Sequence, residues 1–477
     1  MTSFLVALTA LIAGYFVYGT LVEKLFGPTD KPTPAITKND GVDYVPLPMW
    51  KIFLIQLLNI AGLGPIFGAL GGAIWGPSVY IWIVLGTIFA GGVHDYLSGM
   101  LSLREDGKSI SEIVGSNLGT QTLGVMRVFT VVLLVLVGTV FMVGPAGLLA
   151  KMTGGSVTII LMCVLLYYFL ATLLPIDILI AKLYPLFGIC LIIMAIGIMG
   201  GMFMGVGGHV MPDMSLENLH PNAENMPIWP LMFITVACGA ISGFHSTQSP
   251  IMARCLKSER LGRPVFYGAM VAEGIIALIW ATAGITFYDG TQGLFDAMKK
   301  EGAGGVVYEI CTGFVSDGIG AYLAVLGVVA CPITSGDTAF RSARLTLADW
   351  FRLDQSKLGP RLLIAVPLLT VGGILSQVNF DIVWRYFSWT NQTLATIVLW
   401  SGAVYLSRSN SNKAYLLPFL PAIYMTAVTV TYILVAPEGF RLSSSIGNPV
   451  GIAAAVLCTA LFIFKVLNKK NQQPQPV

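Results

Sequence analysis

The stretch from Trp229 to Leu256, WPLMFITVACGAISGFHSTQSPIMARCL, is apolar and long enough to cross a bilayer, yet its composition forbids one continuous helix. Its middle, GAISGFHSTQSP, sets two glycines, a proline, a histidine and four hydroxyl residues where lipid demands unbroken hydrogen bonding. Backbone that leaves the helix at membrane depth survives only when buried in protein or lining a watery cavity. The stretch from Trp50 to Trp75, with NIAGLGPIFGALGGAIW, has the same character. Two interrupted crossings in corresponding halves of a chain point to a solute site at the middle of the membrane.

The rest of the composition fits that reading. Only 11% of the 477 residues are charged and 55% are apolar, against roughly a quarter charged in a soluble domain. This is an integral membrane protein, and its 53 glycines suit helices that approach closely in lipid. The net charge of +3 comes without a basic run, which argues against nucleic acid as a partner and leaves lipid and a small molecule. Seven cysteines are scattered without CxxC spacing and read as small core residues, with no metal framework or cofactor implied. No GxxxxGK[ST] loop is present for direct ATP coupling. The first 24 residues lack a basic leader region and read as a retained first crossing.

Crossings of about 20 apolar residues fall near 3–23, 50–75, 77–102, 121–148, 156–174, 175–206, 228–253, 263–287, 318–340, 361–378, 381–407, 413–436 and 447–468. The expected fold is all-α and polytopic, a single transmembrane domain over 1–477 with about 13 helices. With the C-terminus in the cytoplasm and the N-terminus outside, 22 of the 27 Lys and Arg residues fall on the cytoplasmic side, leaving Lys151, Lys299, Lys300, Arg385 and Arg441 outside. The inner loop 24–49 reads as proline-rich and extended, the outer loop 207–227 has no basic residue, and the acidic, glycine-rich loop 288–317 has room for a short helix. The first broken crossing enters from the cytoplasm and the second, five crossings later, from outside. Residues 50–206 and 228–407 are therefore expected to be two five-helix repeats of opposite topology, with one extra helix before them and two after.

Five runs carry a resemblance to a known family: GLGPIFGALGGAIWGP (62–77), GGVHDYLSGMLSLREDGKSISEIVG (91–115), PIDILIAKLYPLFG (175–188), GAISGFHSTQSP (239–250) and CPITSGDTAFRSARL (331–345). Together they resemble the carbon starvation protein A family, bacterial inner-membrane carriers linked to peptide and pyruvate uptake. That family is grouped with the amino acid–polyamine–cation superfamily, whose five-plus-five inverted repeat around two broken helices is LeuT-like. The resemblance implies a multi-pass importer of small carboxylate-bearing nutrients, coupled to protons or sodium. Two other classes remain in view: an intramembrane hydrolase, and a channel or sensor subunit. Adjacent His245 and Ser246 cannot form a catalytic pair on one helix, and no third member is evident.

The candidate site follows from what a broken helix exposes. Free N–H groups at one half-helix attract carboxylate, and free C=O groups at the other attract a cation. Gly62, Leu63 and Gly64, with Gly239, Ser242, Gly243, His245, Ser246, Thr247 and Gln248, are the candidate solute contacts. The competing reading of these glycines is close helix packing, that of His245 a satisfied core histidine, and that of each hydroxyl a helix-end cap. Asn391 stands in a polar patch, Trp389 to Thr393, at mid-depth in a late crossing.

Charged residues inside crossings cost on the order of 2.5–3.5 kcal/mol each on insertion scales, so they are candidates for coupling. His94 and Asp95 are neighbours on a helix, about 100° apart, and are expected to face different helices. They serve a polar network, a proton path or, with two partners the sequence does not identify, a metal. Glu273 is a lone carboxylate with no cation on its own helix. Asp337 is spaced i, i+4 from Arg341, which suits a simple ion pair. By the resemblance, Lys182 stands where some superfamily members place a lysine in lieu of sodium, and Thr334 and Ser335 match hydroxyl ligands of a sodium site. A lysine snorkelling to the cytoplasmic interface explains the same position, and Asp177 lies too far round the helix to pair with it.

Overall fold

Lipid-compatible sequence of this kind must satisfy its backbone internally, and the chain does so with helices. The computed structural model describes residues 1–40, 44–173, 176–315, 317–355, 357–409 and 413–468, and among these there is no β-strand. In chain order the main helices are α1 (Thr2–Phe26), α2 (Met49–Ile60), α3 (Gly64–Ala73), α4 (Val79–Arg104), α5 (Thr120–Thr153), α6 (Val157–Leu173) and α7 (Ile176–Phe203). After the second break come α8 (Gly243–Ala253), α9 (Glu259–Phe287), α10 (Thr291–Phe314), α11 (Cys331–Phe351), α12 (Leu358–Leu375), α13 (Phe380–Ser409), α14 (Leu416–Val435) and α15 (Ser444–Leu467). Helix α5 runs along α11, α4 along α8, and α2 along α7, so the two halves of the chain interlock around one apolar core.

Among the described residues, eight helices are long and apolar enough to cross a bilayer, or nine if α2 and α3, bent by 55°, form one span. The other expected crossings are helical too, but fail on length or composition. Helix α6 is short, α11 carries Asp337, Arg341, Arg344 and Asp349, and 228–253 is interrupted.

The first interruption falls where the sequence places it, whereas the second falls earlier, at 236–242, ahead of most of the GAISGFHSTQSP run. Helix α2 ends at Ile60, and Ala61 leaves helical geometry at φ −83°, ψ 48°. Helix resumes at Gly64 with one wide π-type turn to Gly68. In the second half, helix through Thr235 stops at Val236 (φ −91°, ψ 64°) and restarts at Gly243. Carbonyls freed at membrane depth need partners, and side chains from other helices provide them. Ser335 Oγ donates to the Leu58 carbonyl at 3.2 Å, Trp82 Nε1 to Phe233 and Val236 at 3.2 and 3.3 Å, and Gln392 Nε2 to Phe233 at 2.7 Å. Thr87 Oγ1 donates to the Gly239 carbonyl at 3.1 Å.

Two loop expectations need correction. A single helical turn, Pro34–Thr37, sits in the inner loop read as extended, with proline at its first position where the missing N–H is not needed. The 288–317 loop is almost wholly helix α10, bent at Gly302 (φ 67°), rather than a loop with a short helix. The turn at Leu174 and Pro175 and the tail 469–477 lie outside the described residues.

Candidate functional site

The two breaks meet. A methyl group added at Gly64 would lie 2.1 Å from Cys238 Cβ, so only glycine permits this approach between the interrupted crossings. Gly62 lies against the Phe141 ring and Gly239 against Ala277, with Pro65 of the first break also near Gly239. Leu63 is fully buried beside them. The glycines of both breaks thus serve close packing.

The start of α8 is organised by a residue 148 positions away from Gly243 (391 − 243). Asn391 Oδ1 accepts from the Phe244 N–H at 2.7 Å and from Ser242 Oγ at 3.1 Å, while its Nδ2 donates to Cys238 Sγ at 3.3 Å. Ser242, at the N-cap position, makes no capping bond with its own side chain, so α13 caps α8 from outside. Gly243 presses on the α13 backbone, where a methyl group would lie 2.3 Å from the Asn391 carbonyl.

His245, Ser246, Thr247 and Gln248 are placed by the sequence inside the break; they stand instead on the first turns of α8, because helix resumes at Gly243. All four are buried. Ser246 and Thr247 donate to the Gly243 and Phe244 carbonyls at 2.6 Å, and Gln248 Nε2 donates to Thr247 Oγ1 at 3.0 Å. The hydroxyls are thus tied within α8. The Gln248 Oε1 atom has no partner among the described residues, and neither do Gln56 Oε1 and Asn59 Oδ1 on α2.

Asp95 is the centre of a fully buried polar cluster drawn from three helices. Its Oδ1 lies 2.8 Å from His94 Nδ1 and its Oδ2 2.8 Å from His245 Nδ1. His245 Nε2 in turn lies 3.3 Å from Glu273 Oε2 on α9. The expectation that adjacent His94 and Asp95 face different helices is therefore wrong. Their Cα–Cβ directions diverge, but both side chains swing inward and meet at their tips. Among the described residues no set of three or more His, Cys, Asp or Glu side chains is arranged to hold a metal ion, so the metal reading of His94 and Asp95 gains no partners.

Asp337 pairs with Arg341 at 3.6 Å, the simple i, i+4 bridge, and Arg341 also donates to the Ala171 carbonyl at 2.9 Å. Thr334 donates to Cys331 within α11, and Ser335 reaches across to the first break as described. Lys182 and Asp177 fall on α7, but their side chains lie outside the described residues. Sequence reasoning missed Gln56, Trp82 and Thr87. Gln56, fully buried in an apolar run with Nε2 donating to Ser249 Oγ at 3.2 Å, was detectable as a polar residue at membrane depth.

Fold and site together define a polytopic membrane transporter. The sequence profile of the carbon starvation protein CstA family matches residues 1–165 and 145–300, and the chain belongs to that family. An uncharacterised membrane protein of Haemophilus influenzae is 40% identical over 362 residues, covering 65% of this chain and 97% of that one. The peptide transporter CstA of Bacillus subtilis is 26% identical, with 91% of this chain and 89% of that one aligned. The pyruvate/proton symporter BtsT of Escherichia coli is 25% identical over 57% of this chain and 46% of its own length. Among solved structures, the Eremococcus coleocola manganese transporter superposes with a TM-score of 0.53 at 12% identity, over 91% of this chain and 99% of that chain. That likeness speaks to fold alone.

Proposed function

We propose that the chain is a secondary active carrier that imports small carboxylate-bearing nutrients, short peptides or pyruvate, across the bacterial inner membrane by alternating access, driven by protons. The observation that carries this reading is the contact of the two breaks at Gly64 and Cys238. The N-terminal end of α8 adjoins that contact, with Ser242 Oγ 3.6 Å from Cys238 Sγ, and a carboxylate there would take over the Phe244 N–H from which Asn391 Oδ1 now accepts. The five-plus-five repeat over 50–206 and 228–407, the thirteen crossings and the outside N-terminus belong to this reading. Support comes from relatives named as a peptide transporter and a pyruvate/proton symporter.

Within that pair of substrates, the unpartnered amide oxygens of Gln56, Asn59 and Gln248 suit a solute that brings N–H donors as well as a carboxylate, which favours short peptides. Ser335, on the Leu58 carbonyl at the first break, keeps the cation-site role that the resemblance implies, and Lys182 remains a second candidate for the coupling group. The test is uptake of labelled dipeptide and of labelled pyruvate by the purified chain in proteoliposomes, under separate proton and sodium gradients. Uphill accumulation of intact dipeptide under an inward proton gradient is expected. Recovery of cleaved product would replace the carrier by a hydrolase, and flux that neither saturates nor shows counterflow would replace it by a channel.

A further inference from the structure

We infer that the buried set His94–Asp95–His245–Glu273 is the seat of the coupling proton, with Glu273 and His245 sharing it. This rests on the carrier reading above and names the group that links its gradient to its solute site.

The hydrogen-bond inventory leaves few ways to fill these contacts. A carboxylate only accepts, so the 2.8 Å contacts from Asp95 to both imidazoles require a proton on each Nδ1. A neutral His245 protonated at Nδ1 presents Nε2 as an acceptor. That atom faces a carboxyl oxygen of Glu273 at 3.3 Å. Two acceptors cannot face each other in a dry interior, so one further proton belongs between them, on Glu273 or on His245. With that proton in place the set carries one negative charge, centred on Asp95. Without it the charge doubles, and with a second proton, giving imidazolium and neutral Glu273, the set is neutral.

No basic side chain other than the two histidines takes part in these contacts. The ionisable groups facing His245 are Asp95 from α4, Glu273 from α9 and Cys238 from the second break; those facing His94 are Asp95 and His245. Four atoms of the set, His94 Nε2, His245 Nε2 and both Glu273 oxygens, make no hydrogen bond among the described residues. The set therefore has both a charge to neutralise and open atoms to receive a proton.

Its position ties that proton to transport. His245 is the third residue of α8, one position beyond the Phe244 N–H held by Asn391. Moving a proton on or off changes the bond between the half-helix that borders the solute site and two helices, α4 and α9, that flank it. Coupling requires a two-state bond of this kind at the element that moves.

The test compares Glu273→Gln with the unaltered chain in proteoliposomes, using the labelled dipeptide. For each, accumulation under an inward proton gradient is divided by equilibrium exchange of the same solute. The ratio is expected to fall at least about tenfold in Glu273→Gln. An unchanged ratio overturns the inference and leaves the carrier reading standing, whereas an unaltered chain driven by sodium alone overturns both the inference and the proton drive of that reading. No dipeptide or pyruvate accumulation by the unaltered chain under any gradient sinks the carrier reading itself. A measurement that needs no variant is mass spectrometry after dicyclohexylcarbodiimide, which adds to protonated carboxyls in apolar surroundings. An adduct on Glu273 that fades as pH is raised supports the shared proton, and its absence at acid pH overturns it.

Discussion

At the residue scale, the strongest single dependence is on Asn391. Its one side chain caps α8, holds Ser242 and reaches Cys238. Asn391→Ala removes an N-cap acceptor, a loss of about 1 kcal/mol, and frees the N–H groups from their fixed direction. The expected outcome is a lower melting temperature in detergent together with a raised KM for dipeptide, both read on the purified protein. Outside the membrane, His220 gives a pH prediction. Its ring stacks near Trp75 and Phe295, and its Nδ1 accepts from the Asn222 N–H at 2.9 Å, which fixes the neutral form. Burial, then the nearby Lys299, holds its imidazole below the ordinary range. The unfolded loop therefore binds a proton more readily than the folded one. The stability this residue lends is present above about pH 6.5 and is lost as pH falls through that value. His220→Gln should flatten the acid side of the melting profile between about pH 7 and pH 5. Equal profiles for the two proteins would show that His220 does not set it. The contrast between these residues also shows what sequence can reach. His245, Asp95 and Glu273 were each recognisable as polar residues at membrane depth, but their bonds join residues 150 and 28 positions apart (245 − 95 and 273 − 245), which no local pattern encodes. His94 and Asp95 were misjudged because helix geometry fixes only where Cβ points, and two-torsion side chains can still converge.

At the scale of elements, the breaks were legible because glycine, proline and clustered hydroxyls together are poorly suited to one continuous apolar helix. Their exact ends were less so. GFHSTQSP reads as poor helix, yet it folds as α8, since Asn391 caps it from α13 and the surrounding protein buries it. Tertiary context overrides propensity there. The meeting of the breaks makes a prediction that belongs to the pair. Gly64→Ala places a methyl group 2.1 Å from Cys238 Cβ and 2.3 Å from its Sγ. Overpacking of this kind costs typically 1–3 kcal/mol, and uptake should fall with it. Pairing the change with Cys238→Gly leaves the Cys238 Cα at 3.5 Å as the nearest atom and should restore part of the uptake. If Gly64→Ala transports as well as the parent chain, the breaks do not need to touch.

For the molecule as a whole, charge is the guide to the proposed orientation, and the ion pairs fall into two sets. Lys38 pairs with Asp106, Arg104 with Glu259, Arg260 with Asp30 and Arg263 with Glu23, all within segments expected on the cytoplasmic side. Lys151 pairs with Glu301 and Glu309, and Arg385 with Glu438, all within segments expected outside. None of these pairs joins one set to the other. The exposed pairs among them, such as Arg260 with Asp30, add little stability, so their value is as markers of which loops share a face. The split of 22 basic residues to five is the ground for the proposed direction, since Lys and Arg tend to be retained on the cytoplasmic side. Green fluorescent protein fused after Leu467 should therefore fluoresce, because it matures in the cytoplasm. Alkaline phosphatase inserted in 207–227, which needs an oxidising compartment, should be active. A dark C-terminal fusion with an active phosphatase at the same point would invert the molecule. The N-terminal end of α8 would then point the other way across the membrane, and import would have to begin from the face that carries the Lys38, Arg104, Arg260 and Arg263 ion pairs.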